Sequence, residues 1–490
     1  MTRYRERYIN DENRKWWTLG AMCFALFMIM LDNTVVNVAL PSIQRDLGAS
    51  ISGLEWTVNG YTLSFAVLLA TGGRLGDIFG RRLGFLFGVI VFAASSATAG
   101  LAQETWMLVA SRIVQGVGAA FMMPATLSII TDAFPASERG KAIGTWAGVS
   151  ALALAIGPVV GGLLTEHVSW RAIFYLNLPV AVAAVFAALF AVRESRDRTV
   201  GREVDYAGVT VLTAALTALV LALVEGNAWG WGSPEILGLI GGAVALLALF
   251  VWIELRVAAP MVQFRLFASR NFVGATIVAF VVSFAMLGMF FFLALYMQGI
   301  LGYSPLEAGV RFLPSTLMIV IVAPIAGRLA DRVGSRWLIF SGLAIVSLAL
   351  YGLTLIDSNT TYGDILPGFV LMGIGIALTM SPMTTAAMNA VTEDKAGIAS
   401  GVLSMSRMIG GTFGVAATGA IFQAQGGGLA APAAGPAAAA ARDAFIEGLS
   451  SAMRLSAVVA LAGALVAAAL IRARRSAQLE GRPAPQVAEV

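Results

Sequence analysis

The first residue that could do chemistry is an aspartate inside the first long apolar stretch. Asp32 lies within "GAMCFALFMIMLDNTVVNVAL", residues 20–40. A carboxylate at the centre of a bilayer costs roughly 2.5–3.5 kcal/mol on insertion scales, so it usually marks a functional site. Because removal from water disfavours its charged form, such a group can take up a proton on one side and release it on the other. Asp32 is therefore a candidate proton carrier. The alternative is a structural aspartate that is hydrogen-bonded within a helix bundle.

Two further ionisable residues are candidates for a part in proton coupling. Arg112 lies inside the fourth apolar stretch, where it needs a counter-charge or several acceptors, and Asp32 is its natural partner. A neighbouring arginine favours the ionised carboxylate, and a cationic or polar substrate can compete for that carboxylate. An Arg112 satisfied by carbonyls alone would be structural. Glu225 ends the seventh stretch and is either a second protonation site or a solvated helix end.

Three polar residues near this pair are candidates for the wall of a substrate cavity. On a helical wheel Asp32, Asn33 and Asn37 span an arc of about 140°. We expect this arc to face a central cavity, because lipid offers no hydrogen-bond partners. Gln115 shares one helix face with Arg112 and is placed in the same cavity.

Weaker cavity candidates come from segments rich in methionine and aromatic residues. The ninth stretch ends in "FFFLALYMQG" and contributes Tyr296 and Gln298, and the twelfth contributes Met380. Such side chains make adaptable apolar pockets. Most residues of this kind in a spanning helix instead face lipid or the protein core.

The composition places these residues in a membrane protein. The chain has 490 residues, of which 58% are hydrophobic and 12% charged, whereas soluble domains are about 25% charged. Basic residues are scattered between apolar runs, which is how topology signals look, and not gathered on one face that could bind nucleic acid. One cysteine and one histidine allow no intrachain disulfide and no metal cluster. No GxxxxGK[ST] loop is present, so a gradient or a partner must supply energy.

We count fourteen spanning helices. The first follows a basic N-terminal segment and is interpreted as a retained helix, because the segment lacks a signal-peptide cleavage site. The predicted limits are 17–40, 54–73, 83–102, 106–131, 142–165, 172–192, 206–225, 236–254, 272–297, 308–326, 337–356, 365–388, 399–422 and 450–471.

Charge fixes the predicted orientation. With the N-terminus inside, 25 of the 32 Lys and Arg residues fall on the inner side, five fall outside and two lie within spans. This asymmetry follows the positive-inside rule and places both termini in the cytoplasm.

An internal repeat divides the chain. "GRLGDIFGRR" at 73–82 aligns with "GRLADRVGSR" at 327–336, eight spans later. Two parallel six-helix halves with two additional helices between them would give this spacing. The predicted units are an N-terminal half over 1–192, a cytoplasmic linker with helices 7 and 8 over 193–271, a C-terminal half over 272–472 and a disordered cytoplasmic tail over 473–490.

Four segments together resemble one family. The repeated loop resembles the signature loop of the major facilitator superfamily. "LDNTVVNVALP" at 31–41, "RIVQGVGAA" at 112–120 and "AIGPVVGG" at 155–162 resemble motifs of its fourteen-helix drug:proton antiporters, on the first, fourth and fifth helices. The resemblance covers nearly the whole chain and implies an all-α integral membrane fold.

The resemblance also implies residues that control the conformation. In the inner loop it assigns Asp77, Arg81 and Arg82 to a gate lock, in which Asp77 pairs with the arginines and caps a helix N-terminus; Asp331 is the weaker second-half copy. The alternative is a charge cluster that only sets topology.

On the fifth helix the resemblance implies a seal between the halves. Gly157, Pro158 and Gly161 would form it, because small residues four apart let helices pack closely and proline bends a helix. Ordinary helix packing is the alternative.

These observations predict a proton-coupled antiporter that exports amphipathic drugs or dyes from the bacterial cytoplasm across the inner membrane. It would act as a monomer among membrane lipids, without nucleic acid and with no cofactor besides the proton gradient. The absence of a carboxylate deep in helices 9–14 argues against divalent cationic drugs as substrates. The alternatives are a dedicated exporter of one metabolite or lipid-like compound, and a transport-inactive membrane sensor. A membrane enzyme is disfavoured, because no nucleophile set is clustered on one side.

Overall fold

The computed structural model describes residues 13–196, 203–257, 260–357, 360–392, 395–427 and 436–472, without the side chains of Ala136, Asp331 and Pro436. The predicted tail, 473–490, lies outside the described residues. Within them the chain forms fourteen helical units, α1–α14. Their bounds are Arg14–Leu47, Ile51–Phe79, Arg81–Gly100, Thr105–Ala133, Ala136–His167, Ala172–Tyr175 with Asn177–Ala191 (α6), Tyr206–Trp229, Pro234–Glu254, Arg270–Gly299, Pro305–Arg311 with Leu313–Val333 (α10), Ser335–Gly352, Tyr362–Met388, Ala396–Ala424 and Pro436–Leu470.

The predicted count of spans is confirmed. Thirteen of the described units are long and apolar enough to cross a membrane. The remaining unit, α13, is 29 residues long, and its Gly and Ser content and Arg407 lower its mean hydropathy. Several helices extend beyond their predicted limits; α14, for example, begins at Pro436 and not near 450. Helical hydrogen bonding continues past the apolar window that the prediction was based on.

Two units, α6 and α10, are each interrupted near their start. The first piece of α10 begins with a capping box, in which the Ser304 side chain accepts from the Glu307 backbone and the Glu307 side chain accepts from the Ser304 backbone. Its second piece begins at Leu313, directly before Pro314. Because proline has no backbone N–H, it fits a helix start without loss, whereas in a helix interior it removes a hydrogen bond and bends the helix.

The helices pack as two bundles that touch along three lines. Within α1–α6 the main contacts are α2 with α4, α3 with α4 and α1 with α5. Within α9–α14 they are α9 with α13, α11 with α12 and α10 with α12. The bundles meet through α2 with α13, α5 with α10 and α1 with α9. The additional pair, α7 and α8, packs on itself, and α7 also contacts α2 and α13.

The repeated loop has a glycine with positive φ at the same place in both copies. Gly80 separates α2 from α3 with φ 132°, and Gly334 separates α10 from α11 with φ 85°. Only glycine adopts positive φ readily. This explains why glycine stands at the same place in the two loops and supports the predicted relation between the two halves.

The bundles are in contact at one end and apart at the other. We name the end that the charge bias assigns to the cytoplasm the inner end, and the opposite one the outer end. Inter-bundle hydrogen bonds lie in the outer part, for example Thr62 to Thr412 at 2.8 Å and Gln298 Nε2 to the Val38 carbonyl at 2.8 Å. At the inner end a cleft of about 680 Å³ opens between α2, α4, α5 and α13. The structure is therefore closed outside and open inside.

Candidate proton and substrate site

Asp32 and Arg112 form a buried ion pair. The Arg112 Nη1 donates to Asp32 Oδ2 at 2.5 Å, and the two side chains are 1% and 2% exposed. This is the pairing that the sequence predicts. Because both charges lie out of water, each depends on the other. Removing one partner of a buried pair typically costs about 3–5 kcal/mol.

Neutral donors complete the surroundings of the Asp32 carboxylate. Gln115 Nε2 donates to Asp32 Oδ1 at 2.9 Å, and Asn177 Nδ2 reaches the same oxygen at 3.3 Å. Both amides also donate to Ser96 Oγ, at 2.7 Å and 3.0 Å. The carboxylate is thus held by one cation and two amides. Hydrogen bonds of this kind stabilise its charged form.

Arg112 is fixed by more than the carboxylate. Its Nε donates to the Thr57 carbonyl at 3.0 Å, and its Nη1 also donates to Gln115 Oε1 at 2.6 Å. The guanidinium lies 4.3 Å from the centre of the Tyr61 ring, a favourable cation–π contact. Arg112 would therefore keep its position if Asp32 became neutral.

The structure corrects the direction in which Asp32 points. Its partners come from α4 and α6, so the carboxylate faces the interior of its own bundle and not the central cleft. Asn33 and Asn37 turn back onto α1, donating to the Ile29 carbonyl at 2.8 Å and the Asn33 carbonyl at 3.2 Å. The strong donors of α4 draw the carboxylate inward, and the helical-wheel arc could not reveal this.

The other predicted cavity residues are scattered. Gln115 belongs to the network around Asp32 and has no exposed surface. Tyr296 is also fully buried and stacks on Phe445 of α14. Gln298 lies at the contact of α9 with α1, and Met380 packs against the hydrophobic core. The structure therefore does not bring these four residues together.

Glu225 lies beside a carboxyl group that the sequence did not single out. It is partly exposed on α7 and acts electrostatically on Glu55 of α2. Glu55 is itself completely buried. It is the second residue of its predicted span, 54–73, a position that normally indicates a solvated helix end.

The inner loop forms a charge network. Arg81 Nε donates to Asp77 Oδ1 at 2.8 Å, and its Nη1 donates to Asp132 Oδ2 of α4 at 2.7 Å. Asp77 and Arg81 both line the inner cleft. Asp132 was not predicted, because an acid at a helix end carries no signal in the sequence.

The helix cap predicted for Asp77 is supplied by another residue. Glu194, after α6, accepts from the backbone N–H groups of Arg82 at 3.0 Å and Leu83 at 3.2 Å. A carboxylate is favourable at this helix N-terminus, that of α3. Arg82 donates to the Leu189 carbonyl at 3.0 Å and not to Asp77. The side chain of Asp331 lies outside the described part of the structure.

The small residues of α5 face two neighbours. A side chain at Gly157 would overlap Thr34, and one at Gly161 would lie 2.7 Å from the Val35 carbonyl, so this face packs on α1. The Pro158 carbonyl lies so close to Gly309 of α10 that no Cβ would fit on Gly309. The predicted residues thus form close contacts both within the first bundle and across to the second.

Several arginines lie at the cleft, and Arg74 and Arg81 are part of its wall. Arg407 of α13 donates to Ser404 Oγ at 3.1 Å, and Ser404 lines the cleft. The Arg407 Nε has no hydrogen-bond partner. No group of three or more potential metal ligands occurs among the residues that the structure describes. The arrangement therefore combines a buried carboxylate–arginine pair inside the first bundle with positive charges at the cleft.

Comparisons with known proteins agree on one family. Residues 22–415 match the family model of the Major Facilitator Superfamily. The chain is 36% identical over 414 residues to the tetracenomycin C resistance and export protein of Streptomyces glaucescens, covering 84% of this chain and 77% of that protein. It is 37% identical over 473 residues to the puromycin resistance protein pur8 of Streptomyces alboniger, covering 95% and 93%.

A solved structure shows the same fold. A bacterial homolog of the human lysosomal transporter Spinster, crystallised in an inward-facing and unoccupied conformation, superposes with a TM-score of 0.67 at 18% identity. The match covers 96% of this chain and 99% of that one.

Proposed function

The chain belongs to the major facilitator superfamily, and from this premise we propose that it is a proton-coupled antiporter that exports amphipathic small molecules by alternating access. Its relatives are antibiotic resistance and export proteins, which supports a drug exporter. The single observation that carries the proton-coupling proposal is the buried Asp32–Arg112 pair with its amide partners. We place the protein in the bacterial inner membrane, acting as a monomer with no cofactor besides the proton gradient.

Asp32 would carry the proton through a change of partner. In the ionised state it is held by Arg112, Gln115 and Asn177. Protonation removes the charge that Arg112 neutralises, so the guanidinium depends more on Gln115 and the Thr57 carbonyl. A weaker link between α1 and α4 would let these helices shift as the bundles rock. The proton would enter when the halves are open outside and leave when they are open inside.

The energy suffices for efflux. One proton crossing a potential of 100 mV releases roughly 2.3 kcal/mol. If exchange is fully coupled, this sustains about 50-fold accumulation of a neutral substrate on the outer side.

The inner cleft supports an amphipathic substrate. Its volume, about 680 Å³, is in the range of sites for drug-sized molecules. Its wall is formed by both apolar and polar residues, including Leu69, Trp146 and Met405. The wall also carries charges of both signs, such as Arg74 and Asp77, which suits a neutral amphiphile with polar groups. A dedicated exporter of one metabolite remains the alternative, and a narrow substrate range would favour it.

The test is transport into inverted membrane vesicles under an imposed pH gradient, screened over neutral, acidic and cationic dyes. We expect the wild-type protein to accumulate at least one dye class, and the Asp32→Asn variant to lose pH-driven uptake at equal membrane abundance. An amide keeps the size of the side chain but cannot carry a proton. Asp443→Asn, at an exposed acid of α14, is the matched control and should transport normally.

Two outcomes would contradict the proposal in different ways. Wild-type uptake by the Asp32→Asn variant would remove Asp32 from the mechanism. Intact dye binding without any flux in the wild-type protein would indicate the sensor alternative.

A further inference from the structure

A carboxyl group lies buried at the outer contact between the two halves. Glu55 of α2 has no exposed surface. Its Oε1 accepts one hydrogen bond, from Gln423 Nε2 of α13 at 3.2 Å. Its Oε2 is buried and has no hydrogen-bond partner. Buried carboxylates normally have their oxygens satisfied by several donors, so this group is unusual.

The second half closes directly over this carboxyl group. Any side chain at Gly419 of α13 would overlap the Glu55 carboxyl atoms, so the absence of a side chain there leaves the room that the carboxyl group occupies. Gln423 and Gly419 both belong to the C-terminal half, and Glu55 belongs to the N-terminal half. The group is therefore buried only while α2 and α13 are in contact.

The charged groups around Glu55 do not compensate a negative charge on it. Glu225, on the adjacent α7, repels such a charge. On α4, Arg112 is held by Asp32. Glu104, before the first turn of α4, is exposed and accepts from Trp106. The neighbours described on α13 are neutral.

The ionised form of Glu55 therefore opposes the contact in which it is buried. A carboxylate without a counter-charge is strongly disfavoured away from water, whereas the neutral acid is much less so. When the halves separate at the outer end, water reaches the group and the ionised form becomes acceptable. The closed contact thus binds a proton more tightly than the open one.

We propose that Glu55 is a second proton-binding site, which takes up a proton from the outer side as the halves close and returns it to that side as they open. The Glu55 site exchanges its proton with the outer side only, so this proton is not carried across the membrane. This distinguishes Glu55 from Asp32. Glu55 would set the external pH at which the outer gate closes, so that acid outside favours the inward-open state. This role of Glu55 rests on alternating access, which is part of the proposed function, and it does not require proton-driven flux.

The experiment measures the gate directly. Val168 and Gln425 are exposed at the outer ends of α5 and α13, one in each half. In a Cys23→Ser background, which removes the single cysteine, both are changed to cysteine and spin-labelled for distance measurement by pulsed EPR. The Asp32→Asn substitution is added, so that any remaining pH dependence does not come from Asp32.

We expect the short-distance, closed population to grow as the pH falls from about 8 to about 5, with a closed-to-open ratio that rises at most about tenfold per pH unit, the limit for one proton. Glu55→Gln should hold the closed distance across this range, because it mimics the neutral acid. Glu55→Asp keeps a titratable group and should retain the pH dependence. Glu447→Gln, at an exposed acid of α14, should behave as the parent protein.

Two results would overturn the proposal. One is a distance distribution of the parent protein that does not change with pH. The other is a Glu55→Gln variant that titrates with the same midpoint as Glu447→Gln. Neither result depends on substrate flux, so failure here is separable from failure of the antiport proposal. A Glu55→Gln protein that did not fold would leave the Glu55→Asp and Glu447→Gln comparison, in which a loss of titration in Glu55→Asp alone contradicts the proposal.

Discussion

At the scale of single residues, the described part of the first half contains one buried ion pair, and Glu55 is a buried acid without a counter-charge at the contact between the halves. Asp32 is compensated by Arg112 at 2.5 Å and two amides, whereas Glu55 has only one amide. The two carboxyl groups are therefore suited to different tasks. The Asp32 carboxylate has a cation and two donors beside it, whereas the second oxygen of Glu55 has no hydrogen-bond partner.

The geometry of Arg112 predicts that lysine cannot replace it. The arginine donates at once to Asp32, Gln115 and the Thr57 carbonyl, and a lysine ammonium is a point charge on a flexible stem that cannot reproduce this fork. We expect Arg112→Lys to reduce dye efflux at least about tenfold at equal abundance, which corresponds to about 1.4 kcal/mol.

The control for this substitution is Arg45→Lys, at an exposed site, which should export dye normally. Efflux by Arg112→Lys at the wild-type rate would show that only the charge of Arg112 matters.

At the scale of elements, α5 is the helix that joins the halves most closely at their outer end. Gly162 contacts the Pro305 carbonyl so tightly that no Cβ fits, and Glu166 Oε2 accepts from the Leu306 N–H at 2.9 Å. Thr316 Oγ1 of α10 donates to the Ala155 carbonyl at 3.3 Å. The α5–α10 contact is therefore a backbone-to-backbone seal that any added methyl group disturbs.

Because of this seal, we expect alanine substitutions at two glycines of α5 to have different effects on the outer contact. Gly162→Ala should disfavour the outer-closed state by about 1–3 kcal/mol, or about 5- to 150-fold in population. Gly148→Ala meets no atom within 4 Å and should leave the population unchanged. The Val168–Gln425 spin-label distance reports the result. An unchanged distance in Gly162→Ala would show that the contact yields without opening the gate.

At the scale of the whole molecule, the described residues form two bundles that are joined outside and separated inside. The joining contacts involve α2 with α13, α5 with α10 and α1 with α9, while the inner cleft is lined by residues from both halves, such as Ser128 and Ser400. This arrangement is an inward-open state. With the predicted orientation, we expect the cleft to open to the cytoplasm.

Thiol labelling tests orientation and conformation together. In the Cys23→Ser background, a cysteine at Ser400, in the cleft, should react with a membrane-impermeant maleimide in inverted vesicles and not in intact cells. A cysteine at Gln425, at the outer end, should show the opposite pattern. Labelling of the Ser400 cysteine in intact cells would contradict either the orientation or the closed outer contact.

The sequence by itself determined the number of spans, the repeat and the partner of Asp32. Apolar runs of bilayer length are a property of the chain alone. The glycines of the repeated loop, Gly80 and Gly334, take positive φ as their positions require. A buried arginine and a buried aspartate in one bundle must pair, because lipid leaves them no other partner.

Only the tertiary structure decided where side chains point and which distant residues complete each site. Asn177 reaches Asp32 from α6, and Ser96 of α3 accepts from the two amides that hold the carboxylate. By sequence both are ordinary polar residues in apolar helices. The burial of Glu55 depends on α13, more than 360 positions further along the chain, and no local pattern of α2 contains that information. Hydrophobic periodicity fixes which segments enter the membrane, but the rotation and contact of helices follow from packing between segments that are remote in sequence.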